Sequence, residues 1–274
     1  MKNHLKFYRY YLALFLPILI SCEKDPALLP QPQADFIVEN AQVFSFFDDV
    51  DNLALFVSQN NGLGLRTNSY LNGDLCSNTL ISVNENFKTI VLNFGNGCTS
   101  PNGISRKGKI VMTYNGLFLV KGSFINITFD GYEVDGKKIE GIRKITNQGF
   151  ENAESTFEVR VTNGKVTWPD NTFATFDGAF VKKYKVTLDP LSISMAVTGQ
   201  ATGRHRLGTS YTAAIQNALS YLHDCTKTGN WVASSGVLQL VSGEEVFNVD
   251  FGSGACDKQV EVTHKGNKYF LKLD

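Results

Sequence analysis

Two stretches far apart in the chain spell nearly the same thing: TIVLNFGNGC at residues 89–98 and VFNVDFGSGAC at residues 246–256. Each alternates apolar and polar residues, then turns through Gly-x-Gly into a cysteine. The likeness continues downstream, where KIVMTYNG (109–116) is echoed by QVEVTHKG (259–266), and Leu117–Val120 matches residues 269–273 as a following strand. Upstream, Cys76 and Cys225 precede the second cysteine of each copy by 22 and 31 positions. Each copy reads as one unit of strand, glycine loop, strand, tight turn and strand. Alternation with period two is the mark of a half-buried strand, so the repeat predicts two related β-modules.

The rest of the chain supports that reading. Alternating runs at 156–161, 165–168, 184–188 and 231–240 are separated by glycine-rich turns, and Asn115-Gly116, Asp135-Gly136 and Asn163-Gly164 each signal a hairpin, because a type I′ turn needs positive φ at both central residues. The fold expected is mainly β, with antiparallel sheets forming a sandwich or an open barrel-like sheet. Residues 211–222 (YTAAIQNALSYL) allow a second short helix. Gly95-x-Gly97 and Gly252-x-Gly254 read as turns and not as phosphate cradles, since no helical pattern follows either.

One segment breaks the β pattern. Val43, Phe46, Phe47, Val50, Leu53, Ala54 and Val57 fall on one stripe of an amphipathic helix, with Asn40 as its N-cap and Asn60-Asn61-Gly62 as its stop. Asp48, Asp49 and Asp51 lack the glycine and terminal glutamate of a calcium loop and read as the helix's solvated face.

The N-terminus carries an address. Lys2, Lys6 and Arg9 precede an eleven-residue apolar run, 10–20, broken only by Pro17. That is too short to span a bilayer, which takes about 20 residues, and it suits a secretory signal. Leu19-Ile20-Ser21-Cys22 then resembles the lipobox of bacterial lipoproteins. The resemblance implies cleavage after residue 21 and lipid on Cys22, leaving residues 1–21 as signal peptide. Pro26, Pro30 and Pro32 mark residues 22–35 as an extended tether, and 36–274 as one β-rich domain of two similar halves, about 60–150 and 151–274. Glu23-Lys24-Asp25 after the cysteine also resembles the acidic export signal of Bacteroidota surface lipoproteins. The glycine loop closed by a cysteine in each half resembles uncharacterised lipoproteins of that group. These resemblances imply an outer-membrane location, on the periplasmic face or the cell surface, and no activity.

Removing residues 1–21 takes three bases and no acid from 26 of each, leaving 23 Lys+Arg against 26 Asp+Glu and a net charge of −3. No basic field is present to recruit nucleic acid. His205, His223 and His264 are scattered without metal-ligand spacing, so no metal site and no cofactor are expected. No nucleophile elbow for a serine hydrolase occurs. Asp250 and Asp257 flank the second glycine loop and are the candidate carboxylates of a glycosidase, though they read more simply as turn residues. Arg204-His205-Arg206 reads as an exposed loop tip, and Trp168 and Trp231 as core residues that alternatively stack on sugar rings. With Cys22 assigned to lipid by the resemblance, four cysteines remain, and an oxidising compartment pairs them. The repeat chooses among the three connectivities: Cys76–Cys98 and Cys225–Cys256, each within its module. The expected function is a non-catalytic envelope protein that binds a glycan or another envelope protein and meets the membrane through its lipid. The alternative is a secreted hydrolase of polysaccharide or cell wall.

Overall fold

The computed structural model describes residues 28–58, 74–188 and 191–273. A long helix, α1 (Gln31–Ser58), is followed by fourteen strands. The first seven are β1 (Leu80–Asn84), β2 (Thr89–Asn93), β3 (Cys98–Thr99), β4 (Ser105–Tyr114), β5 (Phe124–Val134), β6 (Lys137–Glu151) and β7 (Glu154–Thr167). The rest are β8 (Phe173–Leu188), β9 (Leu191–Arg204), β10 (Ser210–Leu222), β11 (Ser235–Ser242), β12 (Glu245–Ser253), β13 (Gln259–His264) and β14 (Asn267–Lys272). A single helical turn, α2 (His223–Thr226), sits between β10 and β11.

All strands belong to one antiparallel sheet that meanders in chain order from β1 to β14, with β3 as a side branch on β4 and no pairing between β14 and β1. The open barrel-like alternative is therefore the observed one. The sheet curls around α1. Phe36 packs on Tyr211 of β10 and Phe247 of β12, and Phe44 on Phe176 and Phe180 of β8. Arg106 of β4 and Arg143 of β6 reach the helix from the other side. No residue from 36 to 58 is exposed, so the helix is the centre of the hydrophobic core and not a lid on one face.

The helix differs from its expected form in two ways. It begins at Gln31, nine residues before Asn40, and so takes in the last five residues of the expected tether. Pro32 lies in its first turn, where a missing N–H costs no hydrogen bond, and the Pro30 carbonyl accepts from the N–H groups of Gln33 and Ala34. Asn40 is buried inside the helix and caps nothing. The expected stop at Asn60-Asn61-Gly62 lies outside the described residues. Nor is the acidic side solvated: Asp48, Asp49 and Asp51 are 6%, 3% and 1% exposed.

The repeat is real in three dimensions and occupies both ends of the sheet. Ile90, Leu92 and Phe94 are buried like their counterparts Phe247, Val249 and Phe251, and Ile110, Met112 and Tyr114 like Val260, Val262 and His264. The register differs by two residues: Ile90 faces Met112, whereas Phe247 faces His264, the equivalent of Tyr114. An even shift keeps every side chain on its own face, which lets the second copy use a shorter glycine loop. In both loops the glycines have positive φ (61° and 137°, 81° and 117°), as turns require.

Four further expectations fail for identifiable reasons. Leu117–Val120 is not a strand: the N–H of Val120 bonds the Leu117 carbonyl and that of Ser123 the Val120 carbonyl, so two turns precede β5 and Asn115-Gly116 opens a long loop. Asn163-Gly164 makes no hairpin but a bulge inside β7. Asn163 has φ 54° and donates its N–H to Asp177, and a Cβ on Gly164 would meet the Phe176 carbonyl oxygen at 2.3 Å. Residues 211–222 form strand, not helix. Tyr211 and Ala213 are buried, as are Leu219 and Tyr221, all in one period-two phase. The bulges between them leave Asn217 exposed, and Ala214, Ala218 and Leu222 of the opposite face complete a spacing that imitates a helix. The run 231–240 becomes strand only at Ser235, which leaves Trp231 in the preceding loop. Asp135-Gly136, by contrast, is a tight turn joining β5 to β6, with φ 46° and 73°.

Candidate functional site

The three helix acids meet three cations donated by the sheet. Lys182 Nζ bonds Asp48 Oδ1 at 2.6 Å and Asp51 Oδ2 at 2.8 Å. Arg143 clasps Asp51 through Nε and through Nη2 (2.6 Å). Arg106 donates Nη2 to Asp49 Oδ1 (2.7 Å) and Nε to Oδ2 (3.1 Å), and its Nη1 bonds the Asp74 carbonyl at 2.7 Å. The first disulfide builds the surroundings of Arg106. Cys76–Cys98 brings Asp74 to the loop after Cys98, where its carboxylate accepts from the Ser100 hydroxyl and from the Asn102 N–H (3.1 Å). Cys225–Cys256 closes the second module in the same way. Both pairings are those the repeat predicts.

Charge balance differs between the two clusters. Burial alone would raise the Asp51 carboxyl, but Arg143 and Lys182 together outweigh it and hold it below the ordinary aspartate range. Asp49 has one cation, shared with Asp74, and burial pushes its carboxyl up. A depressed folded pKa means stability that is present above the unfolded value of about 3.9 and is lost as pH falls through the folded value. Urea midpoints followed downward from pH 6 should therefore fall most steeply below about pH 4, and Asp51→Asn should flatten that fall.

Where the ends of the sheet approach one another without pairing, a cleft of about 150 Å³ remains, floored by α1. Ala41, Gln42, Ser45, Phe46 and Asp49 form the floor. One wall carries Ile104, Val134 and Asp135 from the first module, and the other Asn230, Trp231, Val232, Lys258 and Leu273 from the second. The walls touch through Asn102, whose amide bonds the Lys227 carbonyl at 3.3 Å. A smaller void of about 30 Å³ shares Ala41, Trp231, Val232 and Leu273 with it. Trp231 is half-buried, and Asp135 and Lys258 are exposed with opposite charges on opposite walls. The cleft is well below the roughly 300–1,000 Å³ of sites that enclose whole ligands. It has room for one ring or one chain end.

The other candidates fall away from the cleft. Asp250 and Asp257 accept the N–H groups of Gly252 (2.8 Å) and Gln259 (3.3 Å) and shape their turns. Trp168 is buried, with Arg206 over its ring at 4.6 Å. The Arg204-His205-Arg206 turn is tied down: Arg206 bonds Asp170 (2.6 Å), Thr172 (2.7 Å) and, through its N–H, Glu39 (2.9 Å), while His205 packs on Phe36. Among the described residues no group of three His, Cys, Asp or Glu is placed to hold a metal ion, and no helix is long and apolar enough to cross a membrane. Cys22 lies outside the described residues. The buried cations Arg106, Arg143 and Lys182, invisible to motif reasoning, are the residues the sequence reading missed. Their signal was an interior-facing position in alternating strands.

No protein-family model matches the chain, and neither does any curated protein or solved structure.

Proposed function

We propose that this is a lipid-anchored, non-catalytic binding protein of the cell envelope, held in the outer membrane through Cys22, that takes a ring or chain end of an envelope glycan in the cleft between its two modules. The observation that carries the binding reading is Trp231, a half-buried indole on the wall of the open cleft, with Asp135 and Lys258 available to hydrogen-bond hydroxyl groups. An indole face can cover the apolar face of a sugar ring, and the apolar area so buried is worth about 25 cal/mol per Å². Only two tryptophans are present. A Trp168→Phe variant therefore makes Trp231 the sole reporter, and its emission should shift on titration with cell-wall or polysaccharide fragments. Trp231→Ala should weaken that binding about tenfold. Binding that leaves Trp231 emission unchanged would place the ligand elsewhere.

The hydrolase reading has one observation in its favour, two carboxylates on one cleft, Asp49 and Asp135. Against it, Arg106 donates to both oxygens of Asp49 and so holds that carboxylate as a structural ion pair with neither oxygen left free to face a substrate. The anchor is tested separately. Cys22→Ser should leave the protein unprocessed or soluble, and mass spectrometry of the wild-type N-terminal peptide should find acyl chains on Cys22, two or more being needed for stable anchoring. An unlipidated N-terminus on periplasmic wild-type protein would rule the anchor out.

A further inference from the structure

The two edges of the sheet are built differently. β14 exposes Lys268 and Lys272, and lysines on an edge strand discourage pairing with another strand. β1, LISVN, carries no charge, and all five of its residues are exposed. Ile81 and Val83 pair with Leu92 and Ile90, so they lie on the core-facing side. Their partners are 0% and 1% exposed, yet Ile81 and Val83 remain 41% and 40% exposed, because β1 is the last strand of that layer and no described strand pairs with its outer edge. Leu80 is 65% exposed and Phe87, at the adjoining turn, 79%.

We propose that β1 pairs antiparallel with β1 of a second copy of this chain, about a two-fold axis through Ser82. That register overlaps all five residues: Ser82 faces Ser82, Ile81 faces Val83, and Leu80 faces Asn84. It sets no charge opposite another. It lays four half-exposed aliphatic side chains against each other on the side that continues the Ile90 and Leu92 layer, and a one-residue slip would turn them outward. The same patch on both partners makes a closed two-fold, and the lysines of β14 oppose head-to-tail pairing that would propagate. A five-residue strand pair falls below the roughly 1,200–2,000 Å² of a stable interface, so the contact is weak in dilute solution. Confinement on a membrane raises the effective concentration, and that part alone rests on the anchor proposed above.

The test is Ser82→Cys in the full chain. Facing residues of an antiparallel pair lie about 4.5–5.5 Å apart between Cα atoms, within disulfide reach. Non-reducing electrophoresis of oxidised membranes should show a reducible dimer. Leu80→Cys and Asn84→Cys alone should give at least about fivefold less, since each is separated from its own mate by four residues, about 13 Å. Adding Val83→Lys to Ser82→Cys should remove most of the dimer while leaving the melting temperature within about two degrees. The Cys22→Ser form at high protein concentration makes the same measurement without any anchor. Monomer in both preparations, equal cross-linking at all three positions, or a cross-link to a different protein would each overturn the proposal.

Discussion

Asp51→Ala should lower the free energy of unfolding by about 3–5 kcal/mol, the cost of leaving buried cations without their partner. Asp51 is 1% exposed and is the carboxylate that Arg143 and Lys182 share, so its removal leaves both with Asp48 alone among the helix acids. Glu140→Ala is the control. That carboxylate pairs with Lys138 at 2.8 Å on the surface, and its loss should cost no more than about 1 kcal/mol. Urea denaturation of the two variants separates the cases. A change of less than about 1 kcal/mol for Asp51→Ala would mean that water reaches the cluster and that the helix is not enclosed.

The second large effect belongs to the disulfides. Replacing Cys225 and Cys256 together by serine opens a 31-residue loop, and the Cys76 and Cys98 double replacement opens one of 22. The chain-entropy estimate gives about 3–4 kcal/mol for each. The two should differ in a second respect. Cys76–Cys98 holds Asp74 beside Arg106, so its loss should perturb the cleft floor. Cys225–Cys256 instead holds the wall, where Asn230 bonds the carbonyls of both cysteines next to Trp231, so its loss should move the Trp231 emission more. Tryptophan emission from Trp231 in the Trp168→Phe background distinguishes the two, because only Trp231 faces the cleft.

The parts of the fold legible in the sequence are those set by local periodicity. Phe247-Asn248-Val249 and Val260-Glu261-Val262 alternate without interruption, and their strands form where the alternation lies. The parts that were not legible depend on partners far along the chain. Asp48, Asp49 and Asp51 look like a wet helix face until Arg106, Arg143 and Lys182 arrive from strands 57 to 134 residues away. Residues 211–222 hide their alternation because the bulges between Ala213 and Leu219 leave Asn217 exposed, while Ala214, Ala218 and Leu222 of the opposite face supply a helical spacing. Pro32 reads as a breaker in a proline-rich tether, yet serves as a first-turn residue once the Pro30 carbonyl begins the helix. The cleft could not be read at all. Asp135 and Trp231 are 96 positions apart in the chain and meet only because the sheet curls until its ends nearly touch.

That curling gives the helix its importance for function. With α1 filling the interior, a ligand has only the seam and the outer surface to bind. Were α1 instead a removable cover, the space beneath it would be the binding cavity. Hydrogen exchange of the full-length protein, read on peptides from residues 40–58 and from β6 to β8, decides between these. Helix amides should exchange only through global unfolding, as slowly as those of β6 to β8. Fast exchange in 40–58 while β6 to β8 stay protected would contradict the enclosed helix and, with it, the placement of the binding site at the seam.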